Sequence, residues 1–209
     1  MGEVPMHLNY PQGTMFDAVN DIANKYPNNI ALDFMGTRIL YKALINNIKK
    51  VAYALSSLGI KQDDHIVVAM PNCPQAIYMF YAINYLGAIS HMIHPLSAEK
   101  EIVFYIKDSK CKLLITIDAF YYKFERAIND AKVDLFVVAS IKDALNPVMK
   151  LGYALTTGRK IKKLPKEGSY ITWKNLVNKA KCDVFECKKD KNETTVVLYS
   201  GGTTGTSKG

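Results

Sequence analysis

Three runs of this chain limit its fold more than anything else: His65–Met70 (HIVVAM), Lys112–Ile117 (KLLITI) and Asp134–Ala139 (DLFVVA). Each is rich in β-formers and apolar almost throughout, where a strand wet on one face would alternate. Strands of that kind need cover on both faces, which parallel sheets obtain from helices packed on either side. Ala88–Ile93 reads as a further strand of the set. Helical segments separate the strands: Gln75–Leu86, a stretch from Ser97 to about Asp108, and Tyr122–Asp130. Strand and helix in alternation predict an α/β fold, a parallel-type sheet of βαβ units with helices on both faces. Its crossovers are expected to be right-handed.

The front of the chain follows another plan. Phe16, Val19, Ile22 and Ala23 recur at helical spacing, with Asp17 and Asp21 in the opening turns. Pro27-Asn28-Asn29 breaks that helix, and Ile30–Phe34 reads as a strand. Gly36-Thr37 is the expected hairpin turn into Arg38–Tyr41. Leu44, Ile45, Ile48, Val51, Ala52 and Leu55 then mark an amphipathic helix from Tyr41 to Leu58, ended by Gly59. Further on, Asn72 at a strand-to-helix junction reads equally as a residue facing a ligand or as an N-cap, and Ser97 reads as an N-cap, with Lys100 where a capping box would want Glu or Gln.

Beyond Ser140 the alternation loosens. Asn146–Leu155 reads as a short helix carrying Val148, Met149, Leu151 and Leu155. Arg159–Lys166 (RKIKKLPK) follows, wholly basic or apolar apart from its proline. Such a segment is either a solvated excursion held by its own few apolar side chains or a contact with an anionic membrane surface. Ser169–Lys181 holds Trp173 and a helix with Thr172 as its N-cap, and the polar link Lys188–Glu193 leads to a last strand at Val196–Tyr199.

Composition sets limits on function. Among 209 residues, 49% are hydrophobic and 22% charged, an ordinary globular balance that gives no sign of disorder. The net charge of +8 comes mostly from lysine, the arginines being Arg38, Arg126 and Arg159. Without a nucleic-acid motif, that charge reads as solvated surface and not as a nucleic-acid interface. Cys73, Cys111, Cys182 and Cys187 form no C-x-x-C pair and are too sparse for a disulfide scaffold. Reduced thiols and an N-terminus with no basic-then-apolar leader suggest a cytoplasmic location. The most apolar stretch, Ala76–Ile93, is broken by Asn84, Gly87, Ser90 and His91, so it reads as a buried helix and strand and not a membrane span. His91 and His94 lack the glutamate of a zinc-binding H-E-x-x-H helix, so no metal site is expected.

The chemistry is concentrated at Tyr199-Ser200-Gly201-Gly202-Thr203-Thr204-Gly205-Thr206-Ser207-Lys208-Gly209, a run of glycines and hydroxyls directly after a strand. Glycines let successive N–H groups face one concavity, hydroxyls add donors and lysine adds charge, a combination suited to phosphate. It is not the P-loop of NTPases, because Ser207 precedes the lysine and Gly209 follows it. Nor is it the Rossmann fingerprint, because Gly201 and Gly202 are adjacent. It resembles the phosphate loop of the adenylate-forming enzymes, commonly Y-T-S-G-T-T-G-x-P-K-G. Tyr199, Gly202, Thr203, Thr204, Gly205, Lys208 and Gly209 match, while Ser200, Gly201 and Ser207 replace Thr, Ser and Pro.

The resemblance continues upstream in the same order. Met70-Pro71-Asn72-Cys73-Pro74, Tyr85-Leu86-Gly87-Ala88, His94-Pro95-Leu96 and Asp108–Thr116 are similar to acyl-CoA synthetases, and Trp173 sits where many members carry a tryptophan. It implies that residues 1–209 are part of the large N-terminal AMP-binding domain, with the remainder and the C-terminal domain absent. It also implies two-step chemistry, in which Mg-ATP and a carboxylic acid, a fatty acid by overall likeness, give an acyl-adenylate, and coenzyme A takes the acyl group. Phosphate binding falls to Ser200, Gly201, Gly202, Thr203, Thr204, Gly205, Thr206 and Lys208. No catalytic residue is expected within these 209 residues, and the chain alone is expected to be inactive. The alternatives are an adenylation domain or acyl-AMP ligase that does not use coenzyme A, or a truncated, non-catalytic binding module.

Overall fold

The computed structural model describes residues 12–180 and 193–199. The front of the chain forms α1 (Met15–Lys25), β1 (Ile30–Phe34), β2 (Thr37–Leu40) and α2 (Tyr41–Ser57). Alternation follows as expected: β3 (His65–Ala69), α3 (Pro74–Tyr85), β4 (Ile89–Met92), α4 (Glu99–Ser109), β5 (Leu113–Ile117), α5 (Tyr121–Ala131) and β6 (Leu135–Ala139). Next come α6 (Pro147–Leu155), α7 (Thr157–Lys160), β7 (Ile171–Thr172), α8 (Trp173–Asn178) and β8 (Val196–Leu198).

β1 and β2 form an antiparallel hairpin. The other strands make one sheet in the order β7-β6-β5-β3-β4-β8, in which every pairing is parallel. Successive residues of each inner strand serve opposite layers. Ile66 and Val68 of β3 join Leu113, Ile115 and Val137 in a core closed by α1, α2, α3 and α8. Val67 and Ala69 join Leu114, Phe136 and Val138 in a second core closed by α4 and α5. Both faces are therefore dry, which is why β3, β5 and β6 are apolar at nearly every position, with Thr116 of β5 buried and donating to the Ala69 carbonyl.

The helical periodicity of α2 was a sound guide: Leu44, Ile45, Ile48, Val51, Ala52 and Leu55 are all buried. Gly59 follows with φ +84°, a conformation other residues adopt only with strain. α3 is buried on most sides because α1 and α2 lie over it. Its Asn84 accepts the Phe16 backbone N–H at 2.7 Å, giving an otherwise orphaned donor at the start of α1 a partner.

The structure moves several local boundaries. The hairpin turn is Met35-Gly36 and not Gly36-Thr37, since Thr37 already pairs with Phe34. Both turn residues have positive φ, +50° and +76°, as the two-residue turn matched to strand twist requires. Ser97 does not cap α4. Ala98 holds that position, where Glu101 lies three residues on and its carboxylate accepts the Ala98 N–H at 3.0 Å. Asn72 is exposed, and Cys73 takes the cap position of α3 with Pro74 in the first turn, where a missing N–H costs nothing. Thr172 and Asn146 do cap α8 and α6, accepting from the Asn175 and Met149 N–H groups. β7 spans two residues, too short for any periodicity to reveal.

Among the described residues no helix is long and apolar enough to cross a membrane. The second core makes a direct prediction. Phe124 on α5 is wholly buried there, so Phe124→Ala should cost about 3–5 kcal/mol in urea unfolding. Arg126, two residues on, pairs with Glu99 at 3.3 Å, but its side chain is 73% exposed. Arg126→Ala should change stability by less than about 1 kcal/mol.

Candidate functional site

An all-parallel sheet places every strand's carboxyl end on one rim, and open α/β sheets bind ligands outside that rim. β8 reaches it as an edge strand of the described sheet, pairing Val196, Val197 and Leu198 with Ser90, His91 and Met92. Tyr199, the first residue of the glycine-rich run, stands at its end. Ser200, Gly201, Gly202, Thr203, Thr204, Gly205, Thr206 and Lys208 lie outside the described residues, as do Cys182 and Cys187. The structure therefore establishes the strand that leads into the loop and the anchorage of the loop's first side chain.

That anchorage is a polar chain beneath β4 and β8. The His65 Nδ1 lies 2.7 Å from His91 Nε2, and His91 Nδ1 lies 3.0 Å from the Tyr199 hydroxyl. The hydroxyl lies 3.2 Å from Asp108 Oδ2 and 3.4 Å from the Tyr105 carbonyl, both on α4. The Tyr199 ring stacks on that of Tyr105 with centroids 4.3 Å apart. One proton arrangement satisfies the chain with Asp108 ionised. Tyr199 donates to Asp108, His91 donates from Nδ1 to Tyr199, and His65 donates from Nδ1 to His91 Nε2. A second proton on His91 would meet the His65 donor head-on, so the neutral imidazole belongs here.

Electrostatics agree. His91 is 4% exposed. Burial is the main cause that lowers its pKa from 6.5 to about 4; His65 adds to the shift and Asp108 partly opposes it. Burial also raises the Tyr199 pKa, reinforced by the charge of Asp108 and the hydrogen bond to it. At neutral pH both groups are uncharged and each has one donor to place.

A second feature of the rim lies past β5 and β6. Gln75 at the start of α3 donates to the Ser140 carbonyl at 2.9 Å, crossing to the end of β6. Beside it is an open cleft of about 360 Å³ lined by Asp118, Lys142, Tyr153, Ala154, Gly158, Ile161, Lys162, Lys163 and Leu164. Gly158 permits its corner: a Cβ there would lie 2.9 Å from the Tyr153 carbonyl oxygen.

The remaining sequence candidates carry no chemistry of their own. His94 accepts the Leu96 N–H in a loop and is not paired with His91. Among the described residues no cluster of three metal-binding side chains exists. Cys73 and Cys111 are buried free thiols whose burial raises their pKa, that of Cys111 to about 11, which makes them poor nucleophiles. The polar chain itself was missed. In the sequence His91 only interrupts an apolar run and fails a zinc-binding pattern, and no local pattern joins it to a tyrosine 108 residues away.

The family of AMP-binding enzymes matches residues 19–209, and the chain belongs to it. More particularly, it is similar to CoA ligases. It is 27% identical to the long-chain-fatty-acid–CoA ligase of Bacillus subtilis (strain 168), over 99% of this chain and 38% of that protein. It is 31% identical to 4-coumarate–CoA ligase 2 of Solanum tuberosum, over 77% of this chain and 25% of that protein. The structure superposes on an anthranilate CoA ligase, AuaEII, solved in complex with anthranoyl-AMP. The TM-score is 0.77 at 18% identity, over 94% of this chain and 34% of that one. That likeness shows the fold. The chain thus spans between a quarter and two-fifths of the length of these relatives.

The His91 environment predicts a pH dependence. Its folded pKa lies below its unfolded value, so as pH falls from 6.5 towards 4 the unfolded chain takes a proton that the folded chain refuses. This contribution is present above 6.5 and lost on acidification, by on the order of 3 kcal/mol in full. Urea unfolding across that range should show His91→Gln losing less stability than the wild type. Parallel curves would contradict a buried neutral His91.

Proposed function

We propose that this chain is the part of an ATP-dependent acid–thiol ligase that carries the phosphate-gripping loop, and that all of it belongs to one adenylation domain. The observation that carries the reading is β8. This parallel strand runs to the carboxyl rim, the residue after it, Tyr199, is held by His91 and Asp108, and the chain continues directly into Ser200–Gly209.

In the proposed reaction a carboxylate oxygen attacks the α-phosphorus of ATP. The bond to the β-phosphate oxygen breaks, giving an acyl-adenylate and pyrophosphate. The sulfur of coenzyme A then attacks the acyl carbon and AMP leaves. Negative charge grows on the departing pyrophosphate in the first step, and fixed donors stabilise such charge best. The backbone N–H groups of Gly201, Gly202 and Gly205 are assigned to the β- and γ-phosphates, with the hydroxyls of Ser200, Thr203, Thr204 and Thr206. Lys208 adds a positive charge on a long stem. ATP would arrive as its magnesium complex, and no residue of this chain is assigned to the metal.

A fatty acid is the favoured substrate, supported by the likeness to the Bacillus fatty-acid ligase, 27% identical over 99% of the chain. ATP and coenzyme A as co-substrates, with free thiols at Cys73 and Cys111, favour a cytoplasmic site of action. The second reading is acyl-adenylate formation with an acceptor other than coenzyme A, which Gly201 in place of the commoner serine leaves equally served.

ATP–pyrophosphate exchange, measured on the protein encoded by the complete reading frame with acids of increasing chain length, tests the proposal. Exchange should be strongest with a long-chain acid, and thioester should form when coenzyme A is added. Lys208→Ala should lower exchange at least roughly 100-fold. Unchanged exchange would remove the role given to this lysine. The 209-residue chain alone should show no exchange.

A further inference from the structure

The strongest feature that the proposed chemistry leaves unused is the excursion between β6 and β7. Residues 142–166 contain seven basic side chains and the single acid Asp143, so they carry +6 of the chain's net +8. The lysine surplus is therefore a local patch and not an evenly solvated surface. Within it lies α6, on which no residue is buried. Val148, Leu151 and Leu155 are 80%, 65% and 53% exposed. Their spacing of three and four puts them along one flank of the helix. Met149 and Tyr153 turn towards the body of the protein, being less exposed.

The basic stretch after α7 is held in place. The Tyr122 hydroxyl donates to the Lys163 carbonyl at 2.7 Å, and the Tyr170 hydroxyl to the Pro165 carbonyl at 2.9 Å. Leu164 packs against the second core. Lys162 lies over the Tyr122 ring, 3.9 Å from its centroid. With the backbone pinned from beneath, Arg159, Lys160, Lys163 and Lys166 are left exposed beside the apolar flank of α6. Lys142, Lys162 and Lys163 also line the open cleft next to it, where Asp118 is the one acid.

We propose that α6 and the Arg159–Lys166 stretch form a docking surface for an anionic lipid bilayer, with the flank of α6 in the interfacial layer and the lysines on the headgroups. Three observations select this occupant. The flank is aliphatic and lies beside exposed lysines, the pairing of apolar and cationic surface that an interfacial anchor uses. Its border is rich in lysine and nearly without acids, whereas protein–protein interfaces are depleted in lysine. The cleft offers clustered ammonium groups beside apolar walls, which suits a charged headgroup joined to an acyl chain. The surface also shares the carboxyl rim with the end of β8. Four strand spacings separate β6 from β8, roughly 19 Å. A membrane-bound protein would thus hold its phosphate loop near the surface into which amphipathic acids partition.

The test is vesicle flotation of the protein encoded by the complete reading frame, with phosphatidylcholine vesicles lacking or containing phosphatidylglycerol. Binding is expected only with phosphatidylglycerol and should weaken as salt rises. Leu151→Ser with Leu155→Ser, and separately Lys162→Glu with Lys163→Glu, should each lower binding at least roughly tenfold. The altered side chains are exposed or lie on a surface stretch, and circular dichroism should match the wild type. Exchange with a water-soluble acid should be unaffected, so this docking surface and the ligase reading can fail separately. No flotation at low salt, equal binding to both vesicle types, or full binding by both variants would overturn the proposal. So would a dimer in solution that the leucine variant dissolves, because a second copy would then cover α6.

Discussion

The constraint on which the rest of the structure depends is that the six-stranded sheet is parallel throughout. A chain that leaves each strand at the carboxyl end and re-enters the next at the amino end must cross the sheet every time. Each crossing helix covers one face, and alternate strand residues find partners above and below. Burial of β3, β5 and β6 on both sides follows, as do the two separate cores. So does the gathering of all connecting segments with potential for chemistry on one rim.

Strand order turns that rim into a site. The chain lays β4 to one side of β3, passes back over β3 to add β5, β6 and β7, and then returns to set β8 beyond β4. β8 therefore ends beside β4, although more than a hundred residues separate Ser90 from Val196, its partner on β8. The basic excursion leaves the same rim beyond β6. One topological rule thus places the start of the proposed phosphate loop and the proposed lipid-facing flank on the same rim.

The sequence showed most of this where the physics is local. Continuous apolar runs located β3, β5 and β6, and helical periodicity located α2 and six of its seven buried residues, missing Ala54. Local competition moved the edges. Glu101 could reach back to a backbone N–H only from Ala98, so Ser97 lost the cap it seemed made for. β7 owes its existence to the neighbouring edge of β6 and not to its own two residues. The residues that carry the loop's proposed chemistry stand together in the sequence, whereas the support of its first residue was not legible, because His91, Asp108 and Tyr199 meet only after the sheet has formed.

That support explains how so short a strand can be held in register. β8 has three residues, with Leu198 66% exposed, so its ladder and apolar contacts are few. A slip of one residue would turn Tyr199 to the opposite face and leave the buried Nδ1 donor of His91 without its partner. A slip of two would restore the face but shift the strand by roughly 7 Å, beyond the reach of a hydroxyl that now lies 3.0 Å from His91. An unpaired buried donor costs about 1–3 kcal/mol, comparable to what so short a strand can gain from its ladder. The polar chain thus selects one register among near-equals, and that register fixes where Ser200 begins. The reading of Ser200–Gly209 as a phosphate loop, proposed above, requires such a fixed origin, because several N–H groups must then meet one phosphate chain.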